Sequence, residues 1–196
     1  MALQTRITAN QQASAEERSL MIKQIYQQVL ERQPYLAERR KLAELETSFI
    51  KGKIGIRHFL KTLALCPVYL ERFYENSSNL KFIENAFKHF LGRSPQNEEE
   101  IRGSDQLLIR QGVGAMISAL VDSEEYRHAF GSFTVPYWRK DKHESPSAYL
   151  ENQLLGKEHA GQRGWGIPTL YWHELDLDCY AGHCRPVRVS YSRLRS

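Results

Sequence analysis

Apolar residues in this chain recur at helical spacing, but only in short runs, each closed by glycine, proline or a turn cluster. The run NLKFIENAFKHFLG, residues 79–92, shows the pattern most plainly. Leu80, Ile83, Phe87, Phe90 and Leu91 share one helical face, and Phe82 and Ala86 widen it until it suits burial between neighbours. Gly92 is the expected stop, because glycine accepts the left-handed conformation that ends a helix. A chain cut into such pieces predicts an all-α fold, a compact bundle of about six to eight short helices.

The other runs agree. Ser14 and Glu17 form a capping-box pattern ahead of Leu20, Ile22, Ile25, Tyr26, Val29 and Leu30, which predicts a first helix over about 14–33. Pro34 suits the start of a second helix, marked by Leu36, Leu42, Leu45 and Phe49 and ended by Gly52. A third occupies 55–66 until Pro67 interrupts it, and a short piece with Val68, Tyr69, Leu70, Phe73 and Tyr74 follows. The cluster Asn76-Ser77-Ser78-Asn79 offers a cap for the aromatic helix. Glu98, Glu99 and Glu100 stand where the positive end of a new helix dipole favours acids. That helix continues to Gly112, another carries Met116, Ile117, Leu120 and Val121, and Ser123-Glu124-Glu125 opens one more turn. No strand alternation interrupts these runs before about residue 137.

From Trp138 onward the composition changes, and glycine, histidine and tryptophan accumulate. Only SPSAYLENQLL, 145–155, has helical character there; the rest predicts an extended, mostly irregular tail. The chain therefore divides into a flexible N-terminal arm over 1–13, a helical domain over 14–139 and a basic, aromatic-rich extension over 140–196 that docks a neighbouring subunit. Trp165, Tyr171, Trp172 and Tyr191 lie outside any evident core, and large rings are costly to leave in water. With Arg185 and Arg188 of the acid-free last twelve residues, they are the tail's candidate partner-binding residues.

The net charge of +4 over 196 residues is too modest for a dedicated nucleic-acid binder, and no apolar run is long enough to cross a bilayer. Three cysteines argue against a disulfide-built secreted fold, and the start MALQTRITANQQ lacks the apolar stretch of a secretory signal. His173, Cys179, His183 and Cys184 form the strongest metal-like grouping, yet only Cys179-x₄-Cys184 approaches zinc-site spacing. A zinc- or thiol-dependent protein built on that cluster is the alternative reading. Leu177 stands where a zinc-protease helix needs its second histidine, and neither G-x-S-x-G nor a phosphate loop occurs. Cys66, His58 and His89 sit in apolar helices where packing accounts for them. No catalytic, cofactor-binding or metal-binding residue is assigned.

Three separated blocks then stop being generic: GKIGIRHFLKTLA, ERFYENSSNLKFIENAFKHFLGRSPQNEEEI and LVDSEEYRHAFGSFTVPYWR. In order and spacing they resemble the phycobilisome linker polypeptide domain, over about residues 14–139. The resemblance implies a helical, non-catalytic rod or rod-core linker of the light-harvesting antenna. Such a protein fills phycocyanin or allophycocyanin trimers or hexamers, meets other linkers, joins rods or rods to core, and tunes energy transfer between bilins that its partners carry. It holds no cofactor of its own and works peripherally at the cytoplasmic (stromal) face of the thylakoid membrane. Whether Cys179 or Cys184 carries a bilin is left open. The family's arginine in F-L-G-R falls on Arg93 and its V-P-Y on Val135, Pro136 and Tyr137; Arg93, Tyr137, Trp138 and Arg139 complete the candidate partner-binding residues. Cys66 stands where relatives carry serine, and Leu70 and Lys81 where they carry arginine.

Overall fold

The computed structural model describes residues 13–139, 146–157, 179–180 and 183–184. Ser14 begins α1 (Ala15–Ile25) through the anticipated capping box: its hydroxyl accepts the Glu17 N–H at 3.2 Å, and Glu17 accepts the Ser14 N–H at 2.7 Å. The first helix does not run on to 33. It relaxes into a π-helical turn over Tyr26–Leu30 and ends at Glu31, whose φ of 57° is the left-handed conformation. The reason lies far away in sequence, since Glu31 is turned inward toward the aromatic helix, as described below.

Next come α2 (Leu36–Ile50), α3 (Ile56–Ala64) and α4 (Pro67–Phe73), the last with proline in its first turn. Ser78 caps α5 (Asn79–Ala86) by accepting the Lys81 N–H at 3.2 Å. Like α1, α5 passes into a π-helical turn, over Phe87–Leu91, before Gly92 closes it at φ 67°. Asn97 caps α6 (Glu98–Val121), and the acid run does form its first turn. The pause expected at Gly112 is a kink inside α6, with φ 81° and ψ 178°. Ser123 caps α7 (Glu124–Phe130).

The aromatic face of α5 and its π turn is the centre of the core. Phe82, Ile83, Phe87, Phe90 and Leu91 are buried, with Phe59, Leu60 and Leu63 of α3 and Tyr69 and Phe73 of α4. The rings meet mostly edge-on or tilted, Phe49 with Phe59 at 5.1 Å and Tyr69 with Phe73 at 4.9 Å. Each such side chain contributes about 1.5–3 kcal/mol by leaving water. α6 lies against both α3 and α5 and encloses this layer.

Beyond the body, the helix anticipated at 145–155 is present as α8 (Pro146–Lys157). It packs on the body: Leu154 and Leu155 are buried, and Asn152 is fully enclosed, accepting the Ser94 N–H at 2.9 Å. A Cβ placed on Gly156 would stand 2.6 Å from the Trp138 indole, so the close approach of α8 to that ring needs a glycine. α8 is thus packed against the end of the 14–139 domain. Farther on, the backbone of β1 (Cys179–Tyr180) pairs antiparallel with β2 (His183–Cys184), Cys179 opposite Cys184.

Candidate functional site: two ionic ties and an exposed corner

Among the described residues, the buried ionic side chains of the body gather in two internal clusters. In the first, α5's π turn supplies Lys88 and His89, α4 supplies Tyr69, and the end of α1's π turn supplies Glu31. Lys88 Nζ lies 2.6 Å from Glu31 Oε1, and His89 Nε2 lies 3.3 Å from the same oxygen. His89 Nδ1 is 3.0 Å from the Tyr69 hydroxyl, and Gln28 donates to the Lys88 carbonyl at 3.0 Å. Complete burial lowers the His89 pKa, although Glu31 acts in the other direction. Burial also raises that of Tyr69 well above the usual phenol value, with Glu31 adding to it. A neutral imidazole then donates from Nε2 to Glu31 and accepts from the tyrosine at Nδ1. For Glu31, burial alone works upward. The hydrogen bond from His89 and the Lys88 ammonium outweigh it, and the carboxyl is held far below the ordinary carboxylate range. Every partner faces another protein group.

The second cluster closes the corner between α5 and α6. Arg93 is only 3% exposed. Its guanidinium forks onto Glu100 of α6 at 2.9 and 2.7 Å and onto Glu125 of α7 at 2.6 Å through both Nε and Nη2. Nη1 also donates to the Ser94 carbonyl, and the Phe87 ring lies 5.2 Å away. Arg139 donates to Glu125 as well, and its backbone N–H reaches the Gly92 carbonyl at 2.7 Å. Burial disfavours the Arg93 charge, but the two carboxylates more than compensate and its pKa rises; Glu125, raised by burial, is lowered on balance by Arg93 and Arg139. Two arginines and two glutamates balance in charge, which is what makes a buried ionic group tolerable.

Gly92 is required here twice over. Its φ is left-handed, and a Cβ would fall 2.0 Å from the Tyr137 carbonyl oxygen. The V-P-Y segment therefore runs directly across the end of the aromatic helix. Tyr137 packs edge-on against Phe130 at 5.3 Å, and Trp138 and Arg139 are partly buried.

Of the candidate partner-binding residues, Arg93 is an internal tie whose guanidinium is turned away from solvent. Tyr137, Trp138 and Arg139 form one half-covered rim with it, on which α8 rests. Trp165, Tyr171, Trp172, Arg185, Arg188 and Tyr191 lie outside the described residues, as do the side chains of the His173/Cys179/His183/Cys184 cluster. Among the described residues, no group of three or more His, Cys, Asp or Glu could hold a metal ion. Cys66 donates to the Thr62 carbonyl at 3.2 Å, and burial pushes its thiol pKa up, which disfavours a reactive thiolate. A surface groove of about 230 Å³ between α1, the α2–α3 loop and Phe133 has no His, Cys, Asp or Glu in its lining. No described helix is long and apolar enough to cross a membrane.

The sequence reading did not name Glu31 or Tyr35, took Glu100 and Glu125 only as helix-start acids, and took Leu36 as part of a helix's apolar pattern although it is 73% exposed. A glutamate closing an apolar run was a usable signal for Glu31. For Glu100 and Glu125 nothing local marks the partner, which stands 7 or 32 residues from Arg93.

A helical body whose buried ionic groups pair with one another, with its aromatic layer closed, has the build of a scaffold. Its class is given by comparison: residues 13–139 match the family model for phycobilisome linker polypeptides, and the chain belongs to that family. Among curated proteins it is similar to the Phycobiliprotein ApcE of Pyropia yezoensis, 33% identical over 89% of this chain and 17% of the relative. It is 37% identical to Phycobiliprotein ApcE of a Synechococcus strain over 79% of this chain and 20% of that protein. For the Nostoc protein of the same name the figures are 36%, 78% and 12%. The chain thus spans a fifth or less of these relatives.

Proposed function

We propose that this chain is a non-catalytic linker of the phycobilisome, seated in the opening of phycobiliprotein discs. The observation that carries this reading is the family match over residues 13–139, together with buried ionic groups that pair with one another among the described residues. Phycocyanin or allophycocyanin trimers or hexamers are the partners, with other linkers at the ends. The body joins rod to rod or rod to core and adjusts the surroundings of bilins held by those partners. It acts peripherally on the cytoplasmic (stromal) side of the thylakoid membrane and has no cofactor of its own. The tail beyond Lys157 reaches a neighbouring disc or core cylinder, its basic charge steering it toward acidic protein surface.

The packing of α8 decides how this is tested. A truncation after Arg139 would remove Asn152 and uncover Trp138, confounding tail loss with damage to the body. A tagged chain ending at Lys157 is the informative variant, compared with the full chain in pull-downs from a native extract. The full chain should recover pigment discs, and the truncated chain should remain folded while losing one of two partners. Recovery of no pigmented protein by the full chain would refute the linker reading. Identical partners for both forms would refute the role of the tail. Nothing among the described residues favours the zinc or thiol alternative, and elemental analysis of the purified chain addresses it directly.

A further inference from the structure

At the start of α2 the chain turns through Pro34 and presents Tyr35 and Leu36 to solvent, 68% and 73% exposed. A lone exposed leucine needs no explanation. This pair differs because the corner beneath it is braced. Arg32 lies 4.1 Å from the Tyr35 ring centroid and forks onto Glu38 at 2.8 and 2.6 Å. Glu38 also accepts the Tyr35 N–H at 2.7 Å. The ring is thereby held in place while facing water, and an anchor already ordered loses less freedom on binding.

One turn farther along, Arg39, Arg40 and Lys41 are all exposed. Arg40 has no ion-pair partner among the described residues. Lys41 reaches only an exposed Glu71 at 4.0 Å, a pairing of little strength, and Arg39 touches Glu46 at 3.3 Å. The patch therefore combines a fixed aromatic, an adjacent leucine and a basic border, and tyrosine and arginine are the residues that most often dominate interface energetics. Ile109 on α6, 69% exposed, is comparably apolar but has no such bracing.

We propose that the Tyr35–Leu36 corner, bordered by Arg39, Arg40 and Lys41, is an anchor that docks on an acidic protein surface with an apolar hollow, on the phycobiliprotein disc that the body fills. The inference rests on the linker reading and adds the point of contact. The bases draw the surfaces together, and the Tyr35 and Leu36 side chains supply the affinity by leaving water.

The test uses the full chain with purified phycocyanin and allophycocyanin discs, titrated in parallel. Three variants are compared with the parent: Tyr35→Ser/Leu36→Ser, Arg40→Glu/Lys41→Glu and Ile109→Ser, each checked for unchanged helicity and melting. The first should weaken disc binding about tenfold or more, as expected for a hot spot. The second should weaken it and flatten its salt dependence, and the third should leave it unchanged. Equal binding by all four proteins, with the parent bound, would overturn the anchor and leave the linker reading intact. So would a parent that self-associates through Tyr35 and Leu36 while the serine variant binds discs normally. A parent that binds neither disc would remove the linker reading, and the anchor with it.

Discussion

Arg93 and Arg32 are built from the same parts and put to opposite use. Each guanidinium forks onto a glutamate and lies near an aromatic ring, Phe87 for Arg93 and Tyr35 for Arg32. Around Arg93 the arrangement faces inward, takes a second glutamate and is covered by the V-P-Y segment and α8. Around Arg32 it stands at the surface and leaves its ring to solvent. The same motif thus serves once as a tie between chain segments and once as a support for something presented outward. Burial of the guanidinium makes the difference: Arg93, 3% exposed, must have its charge satisfied by protein groups, whereas Arg32, 22% exposed, keeps some contact with water.

The sharpest way to break the inner half of the comparison is Gly92→Ala. A methyl group placed 2.0 Å from the Tyr137 carbonyl, on a left-handed backbone, forces the V-P-Y segment off the helix end. The expected outcome is loss of the cooperative melt, or destabilisation well above 3 kcal/mol, read by circular dichroism. Next is Arg93→Ala, which leaves Glu125 with Arg139 alone and Glu100 with the Gln96 N–H, and should cost about 3 kcal/mol in urea unfolding. Arg93→Lys keeps the charge without the two forks and should recover only part of that. Arg32→Ala, by contrast, should cost about 1 kcal/mol or less while loosening the Tyr35 ring.

The cluster at Glu31 sharpens the same contrast through pH. The folded-state pKa of His89 lies below its ordinary 6.5, so below that pH the unfolded chain takes up a proton that the folded chain resists. Stability should therefore fall as the solution is acidified below about 6.5. Glu31, also depressed, adds a second loss as the pH drops below its ordinary 4.5. His89→Gln should flatten the upper part of that profile and leave the lower part. A melting temperature that does not change between pH 7 and 5 would refute the neutral, buried imidazole.

Much of the fold was written locally. Ser14, Ser78 and Asn97 cap helices through their own neighbours, and Gly52, Gly92 and Gly112 interrupt them at positive φ, so spacing and residue type sufficed to place them. The π-helical turns were not legible, because Glu31 departs from the helical path to meet Lys88 and His89, 57 and 58 residues away. Arg93 was legible as a motif position but not as an internal group. Its carboxylates belong to α6 and α7, which only the folded chain brings to one place. α8 was foreseen as a helix, yet its seat depends on Gly156 against Trp138, a contact no periodicity encodes. The family resemblance supplied the architecture and an expected class of partner; the division between inner tie and outward-facing corner required the packing.

The most direct test of the account is sedimentation velocity of the purified full chain mixed with purified phycocyanin or allophycocyanin discs. A linker held by shape and charge should migrate with the pigment at low salt, in a fixed ratio to the disc, and partly dissociate as salt increases. A chain that stays at its own slow boundary with both discs, at every salt concentration, would contradict it.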